Sequence, residues 1–165
     1  MLIKLDMKNA FDRDKLPFLY DVLLSFGFCF EFVSLIKACT DGPWLAPLVN
    51  GRPSDFFKAS IGLHQGCPLS PFLYILMVET LSRKLIVEKE AGYILGIKIA
   101  KGMDPINHSL FADDSLLLGG ASMNIARAFN AILQKLCQIS GALINKNKIA
   151  VYGWNVEHST ISIIS

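Results

Sequence analysis

Polar and apolar residues alternate from the first positions of the chain. Over residues 2–6, Ile3 and Leu5 fall on one side of an extended segment and Lys4 and Asp6 on the other. This pattern predicts a strand with one buried face and one face open to a cleft. The period then changes. Leu16, Leu19, Tyr20, Leu23 and Leu24 recur at helical spacing, which predicts a helix over about 14–26, with Asp14 as its N-cap and Gly27 as its stop. A second helix is expected from Phe30 to Cys39, before Asp41-Gly42-Pro43. Between 44 and 60, Leu48-Val49 and Phe56-Phe57 flank the turn dipeptide Asn50-Gly51, so a β-hairpin is expected.

Ser70 followed by Pro71 reads as an N-cap and first helical residue. The helix they open should run to about Lys89 with Leu73, Leu76, Met77, Leu81 and Leu85 on its apolar face. A strand over 96–100 is expected next. A second hairpin follows, its strands 108–112 and 115–118 bracketing a two-residue acidic tip, Asp113-Asp114. A helix over about 124–139 and a last strand over 148–153 complete the series. This order of strand, helices, hairpin and helix predicts an α+β fold, an antiparallel sheet with helices packed on one face.

Composition narrows the class. The 165 residues are enough for one domain with a core, and the net charge of +2 gives no strong basic footprint for nucleic acid. Only 18% of residues are charged and 52% are hydrophobic, an unusual balance for a free-standing soluble domain. Two explanations fit: apolar faces that pack on neighbouring domains, or a well-buried α/β core. Cys29, Cys39, Cys67 and Cys137 form no Cys-x-x-Cys pair and have no accompanying His cluster, so buried free thiols in a reducing compartment are expected rather than disulfides or zinc. No secretory signal is visible, which points to an intracellular protein, nuclear or cytoplasmic. The uncharged stretch 59–78 is interrupted by Gly62, His64, Gln65, Gly66, Pro68, Ser70 and Pro71 and fails as a membrane span.

Two acidic sites carry the candidate chemistry. Asp6 ends the first strand, and Asp113-Asp114 sits in Leu110-Phe-Ala-Asp-Asp-Ser115. A strand end and a neighbouring hairpin tip can bring the three carboxylates together. Two like charges ~4 Å apart at an effective dielectric of ~20 cost ~4 kcal/mol, so such a cluster needs protons, cationic side chains or metal ions. Hard oxygen donors without His or Cys favour Mg²⁺. Taken singly, each site has a plainer reading. Asp-Asp is a common turn, and an Asp after a strand, such as Asp12 or Asp14, is often a helix cap.

The order of motifs goes further. Asp6-x-x-x-Ala10-Phe11-Asp12 resembles motif A of reverse transcriptases, and Gly62-x-x-Gln65-Gly66-x-x-x-Ser70-Pro71 resembles motif B. Phe111-Ala112-Asp113-Asp114 resembles motif C, and Ser140-Gly-Ala-Leu-Ile-Asn145-Lys-Asn-Lys148 resembles motif D. The chain resembles the reverse transcriptases of non-LTR (LINE-type) retrotransposons, plant elements in particular, over essentially its whole length. The resemblance implies the palm fold and RNA-directed DNA polymerase activity, a nucleotidyl transfer that uses two Mg²⁺ ions or Mn²⁺. It implies metal ligation and catalysis by Asp6, Asp113 and Asp114, with Lys148 as the lysine that protonates pyrophosphate. By the same resemblance Phe11 is the steric gate under the incoming sugar. Phe11, Gln65 and Gly66 then bind the nucleotide, while His64, Gln65, Gly66, Pro68 and Ser70 line the template path. Without the resemblance, Phe11 is a core aromatic, Gln65-Gly66 an ordinary turn and Lys148 a solvated lysine. His64 stands where the family usually has Arg, Cys67 where it often has Asp, and Asn9 where it usually has Lys.

The partners implied are an RNA template, a DNA primer and deoxynucleotides, with no membrane. Residues 1–153 are expected to be a partial palm domain and 154–165 a truncated tail, with truncated fingers, no thumb and no endonuclease. Other polypeptides could supply those parts. Two rivals stand beside the polymerase: an inactive retrotransposon remnant, and a binding module that holds RNA without chemistry.

Overall fold

The computed structural model describes residues 1–8, 10–41, 44–59 and 61–154. The described residues form two compact units, one drawn from 1–10 and 78–154 and the other from 11–77.

The first unit is built on a four-stranded antiparallel sheet of order β6-β7-β1-β8, with β1 Leu2–Asp6, β6 His108–Phe111, β7 Asp114–Leu118 and β8 Ala150–Tyr152. The alternation in β1 sets its faces as expected. Ile3 and Leu5 are buried, and across the register they meet Leu117 and Ser115 on β7. Leu81 and Leu85 from the C-terminal half of α4 (Ser70–Glu90), together with Ile94 and with Phe129 and Leu133 of α5 (Met123–Ser140), complete that core. The helices therefore cover one face, and the opposite face carries Lys4, Asp6 and Asp114. Ser122 caps α5 by accepting a hydrogen bond from the Ile125 N–H, and Gly141 ends the helix in the left-handed conformation.

The second unit holds α2 (Leu16–Ser25) packed on α3 (Phe30–Thr40), with Leu16, Leu19, Val22, Leu23, Val33 and Ile36 buried. Two short ribbons follow. β2 Trp44–Leu45 pairs with β5 Phe57–Lys58, and β3 Leu48–Val49 pairs with β4 Arg52–Pro53. The inner ribbon turns at Asn50-Gly51, whose φ angles of 51° and 78° match the twist that a two-residue hairpin requires. Leu48-Val49 thus pairs immediately across the turn rather than with Phe56-Phe57.

Four other expectations are corrected. Asp14 does not cap α2; Lys15 occupies the cap position, where its side chain makes no capping hydrogen bond, and a four-residue helix, α1 (Ala10–Arg13), precedes it. The Ser70 hydroxyl donates to the His64 carbonyl at 2.7 Å, fastening the preceding loop. The run 96–100 makes only a bridge, Ile97 with Ile106, because Gly96 at φ 78° breaks the extended path. The thiols of Cys29 and Cys39 are exposed and those of Cys67 and Cys137 half-buried, because the two α3 cysteines fall at its start and on its solvent side. All four are free.

Phe30, Trp44, Leu48, Phe56 and Phe72 are each more than 60% exposed, so the chain's apolar excess is not all in its core. This favours the apolar-face explanation of the composition over the well-buried one. Among the described residues no helix is long and apolar enough to cross a membrane.

Candidate functional site

The hairpin β6-β7 determines where the acidic residues stand. Phe111 pairs with Asp114, so the two-residue turn is Ala112-Asp113, and Asp114 is the first residue of β7 rather than half of the tip. Asp6 pairs directly with Asp114, and the Met7 N–H donates to the Asp113 carbonyl at 3.1 Å. The backbone therefore aligns the end of β1 with the Asp-Asp pair. Asp113 is exposed and Asp114 half-buried.

The turn carries strain. Ala112 has φ 53°, a left-handed conformation that costs an L-residue ~1–2 kcal/mol. Ala112→Gly removes that cost but adds ~0.5–1 kcal/mol of unfolded-state freedom. The expected result is a gain of up to ~1 kcal/mol in a urea melt, and a clear loss of stability would show that the turn is not strained.

Asp6 is held closely. Its Oδ2 accepts from Lys148 Nζ at 2.9 Å and its Oδ1 from Asn145 Nδ2 at 3.2 Å. Its carbonyl accepts from the Asn145 N–H at 2.9 Å. The bridge between Met7 and Ile144 brings this segment alongside, and a 3-10 turn over Lys146–Lys148 lifts the lysine to the carboxylate. The Lys148 hydrogen bond is the main reason the Asp6 carboxyl lies below the usual range; burial opposes it, and Asn145 and Lys4 add to it. The same contact holds the Lys148 ammonium above its ordinary value. Lys4 Nζ stands 3.5 Å from Asp114 Oδ1.

Two cations therefore neutralise two of the three carboxylates from within. Among the described residues, no group of three or more His, Cys, Asp or Glu side chains is placed to hold a metal ion. In this arrangement both Asp6 oxygens accept from protein donors.

The motif B residues lie in the second unit. Gln65 Nε2 donates to Asp12 Oδ1 at 2.7 Å, and the Leu63 N–H donates to the Phe11 carbonyl at 2.6 Å. The Gly62 N–H donates to the Asp14 carbonyl at 2.9 Å. Gly62 is required on two counts, a φ of 82° and a Cβ position 2.7 Å from the Asp12 carbonyl oxygen. Gly66 is required by its φ of 87° alone, since the space around it is open. Asp12, Thr40, Leu45, Gly62, His64 and Gln65 border a cleft of about 390 Å³. His64, Gln65 and Pro68 are exposed there or beside it, while Ser70 is buried under the loop. Phe11 is half-buried, its ring 4.8 Å from that of Tyr74.

Three participants were not assigned a role from sequence. Lys4 was legible as sharing a face with Asp6, but not as the neighbour of Asp114. Asn145 belongs to motif D, yet nothing local announces its bond to a residue 139 positions away. Asp12, read as a helix cap, is instead the acceptor for Gln65.

Comparison with known proteins agrees with this architecture. A family model described as reverse transcriptase (RNA-dependent DNA polymerase) matches residues 1–160. An uncharacterised mitochondrial protein of Arabidopsis thaliana is 43% identical over 72 residues, 44% of this chain and 59% of that protein. The retrovirus-related Pol polyprotein from type-2 retrotransposable element R2DM of Drosophila melanogaster is 29% identical over 92% of this chain, which spans only 14% of that polyprotein. Among solved structures, apo telomerase from Candida tropicalis superposes with a TM-score of 0.70 at 15% identity, covering 95% of this chain and 31% of that one. That likeness is one of fold. With the family model spanning nearly its whole length, the chain belongs to the reverse transcriptase (RNA-dependent DNA polymerase) family.

Proposed function

We propose that this chain is a reverse-transcriptase palm of the non-LTR, plant-like type, and that in the arrangement described it is non-catalytic: a retrotransposon remnant rather than a working polymerase. The observation that carries this reading is the engagement of both Asp6 carboxylate oxygens by Lys148 and Asn145. Nucleotidyl transfer depends on positioning and on charge neutralisation at the reacting phosphate. Here the neutralising charge is spent on the protein's own carboxylates. The net charge of +2 also gives little electrostatic hold on a nucleic-acid backbone, which makes an RNA-binding module the weaker form of the non-catalytic reading.

A second reading is an RNA-directed DNA polymerase core. The strand register favours it, because Asp6 pairs with Asp114 next to Asp113. On that reading Asp6, Asp113 and Asp114 are the Mg²⁺ or Mn²⁺ ligands and Lys148 the proton donor. Phe11 gates the sugar. His64, Gln65, Gly66 and Pro68 face the nucleotide and template, and Ser70, buried beneath them, fastens that loop through the His64 carbonyl. It requires Lys148 to leave Asp6.

The deciding experiment is extension of a DNA primer on an RNA template by the purified chain, with Mg²⁺ and separately with Mn²⁺. No extension above background is expected. Robust extension that Asp113→Asn abolishes would establish the polymerase reading instead. RNA retention that weakens with salt, without extension, would favour the binding module.

A further inference from the structure

We infer that Lys148 is a tethered counter-ion for Asp6, so that its contact and a divalent cation at Asp6 are mutually exclusive. The inference rests on the non-catalytic reading above and says what the Lys148 contact does to a cation at Asp6.

The placement is pre-organised. The Asn145 N–H donates to the Asp6 carbonyl and the Lys148 N–H to the Asn145 carbonyl, at 2.9 and 3.0 Å. The 3-10 turn is therefore hung on the residue its lysine neutralises, and little chain entropy is lost in forming the 2.9 Å ion pair. The Asp6 side chain is only 12% exposed, whereas that of Lys148 is 63% exposed. The carboxylate has little free surface, and the ammonium covers Oδ2. A divalent ion ligated by that oxygen would stand within a few ångströms of a full positive charge, and one of the two must leave. The lysine can leave, because its stem is in solvent. A lysine engaged in this way is also not aimed at a leaving group, so the role implied by motif D and the contact observed are separate states of one side chain.

Direct Mn²⁺ titration of the full chain, followed by electron paramagnetic resonance without nucleic acid or nucleotide, tests this. Lys148→Met keeps the stem and removes the charge; Lys148→Arg keeps a cation. Binding at least tenfold tighter for Lys148→Met than for wild type is expected, with Lys148→Arg close to wild type. Adding Asp6→Asn to Lys148→Met should cancel the gain. Because Lys148 is largely exposed, circular dichroism should show wild type and the two Lys148 variants folded alike. Equal affinity of wild type and Lys148→Met, at any strength and including no measurable binding by either, overturns the inference. That result is independent of primer extension. An inactive wild type with no Lys148→Met effect removes the counter-ion alone, whereas an active wild type with tighter Lys148→Met binding removes the non-catalytic reading alone.

Discussion

Replacing Asp14 by Asn should make the protein more stable at pH 8 by about 2 kcal/mol and leave it no more stable at pH 4. The basis is a carboxylate buried in the second unit. Asp14 is 3% exposed, and its Oδ2 has no hydrogen-bond partner. Burial alone pushes its pKa up to about 7. In the unfolded chain the same group titrates near ~4. Below that value both states hold the proton and there is no penalty. As pH rises from ~4 to ~7, the unfolded state ionises while the fold keeps the proton, so stability falls by ~1.4 kcal/mol per pH unit. Above ~7 both states are ionised and the penalty is complete, ~4 kcal/mol at most and less where water reaches the group. Asn removes the charge but brings its own buried N–H donors, which cost ~1–3 kcal/mol if unpaired, hence the smaller net gain. The Asp14 carbonyl, which accepts from Gly62, is untouched by the change. Urea melts of both forms at pH 4 and pH 8 give the answer. An equal difference at the two pH values would mean that folding does not shift the Asp14 pKa.

A second titrating group works in the opposite direction and shows how local such effects are. His108 is held by Ser82 Oγ at 3.0 Å and Asn107 Oδ1 at 2.7 Å, and Asn107 Nδ2 donates to the Leu85 carbonyl at 2.6 Å. Burial is the main reason its pKa lies below the ordinary value. A depressed histidine contributes stability that is complete above its unfolded pKa and is lost as pH falls through the folded one. The Asp14 and His108 contributions therefore slope oppositely on the acid side of neutrality, and removing Asp14 should leave the histidine-linked loss exposed.

Local patterning made most of the elements of both units legible. Alternation in residues 2–6 gave the faces of β1, and helical spacing gave α2 through α5 to within a few residues. Asn50-Gly51 marked its turn. The departures have physical causes that lie beyond a local window. The acidic hairpin turns at Ala112-Asp113 because strand register, not side-chain identity, decides which two residues are left unpaired. Residues 96–100 fail as a strand because Gly96 passes so near Ile106 that a Cβ there would sit 2.5 Å from its carbonyl oxygen. Asp12 and Asp14 look alike in sequence, two acids before a helix. One reaches Gln65 across 53 positions, and the other is buried without a partner for Oδ2. At the candidate site, the motifs drew attention to Asp6 and Lys148 separately but not to the contact between them. Motif spacing carries chemical type, whereas the capture of Asp6 by Lys148 is a tertiary contact spanning 142 positions.

The acidic face of the sheet depends on what lies beneath it, and two phenylalanines of the same unit should separate that dependence from general hydrophobicity. Phe129 is 1% exposed and belongs to the core with Leu5, Leu81, Leu85 and Leu117. Its ring also lies against Gly119, just past β7, where an added Cβ would meet it at 3.3 Å. Phe129→Ala removes the ring and leaves a cavity under β1 and β7, at a cost of ~3–5 kcal/mol. Folded domains hold only ~5–15 kcal/mol in total, so this change should lower the urea midpoint severely or unfold the first unit outright. Phe111 is 82% exposed at the end of β6, paired with Asp114. Phe111→Ala deletes the same number of atoms from a site already in water and should move stability by no more than ~0.5 kcal/mol. Chemical denaturation of the two variants beside wild type makes the comparison. Similar losses from both would mean that Phe111 is covered in solution or that the core beneath the sheet is loosely packed. A large loss confined to Phe129→Ala would place the support of Asp6 and Asp114 in the α5 layer, on the side of the sheet opposite the carboxylates it holds in register.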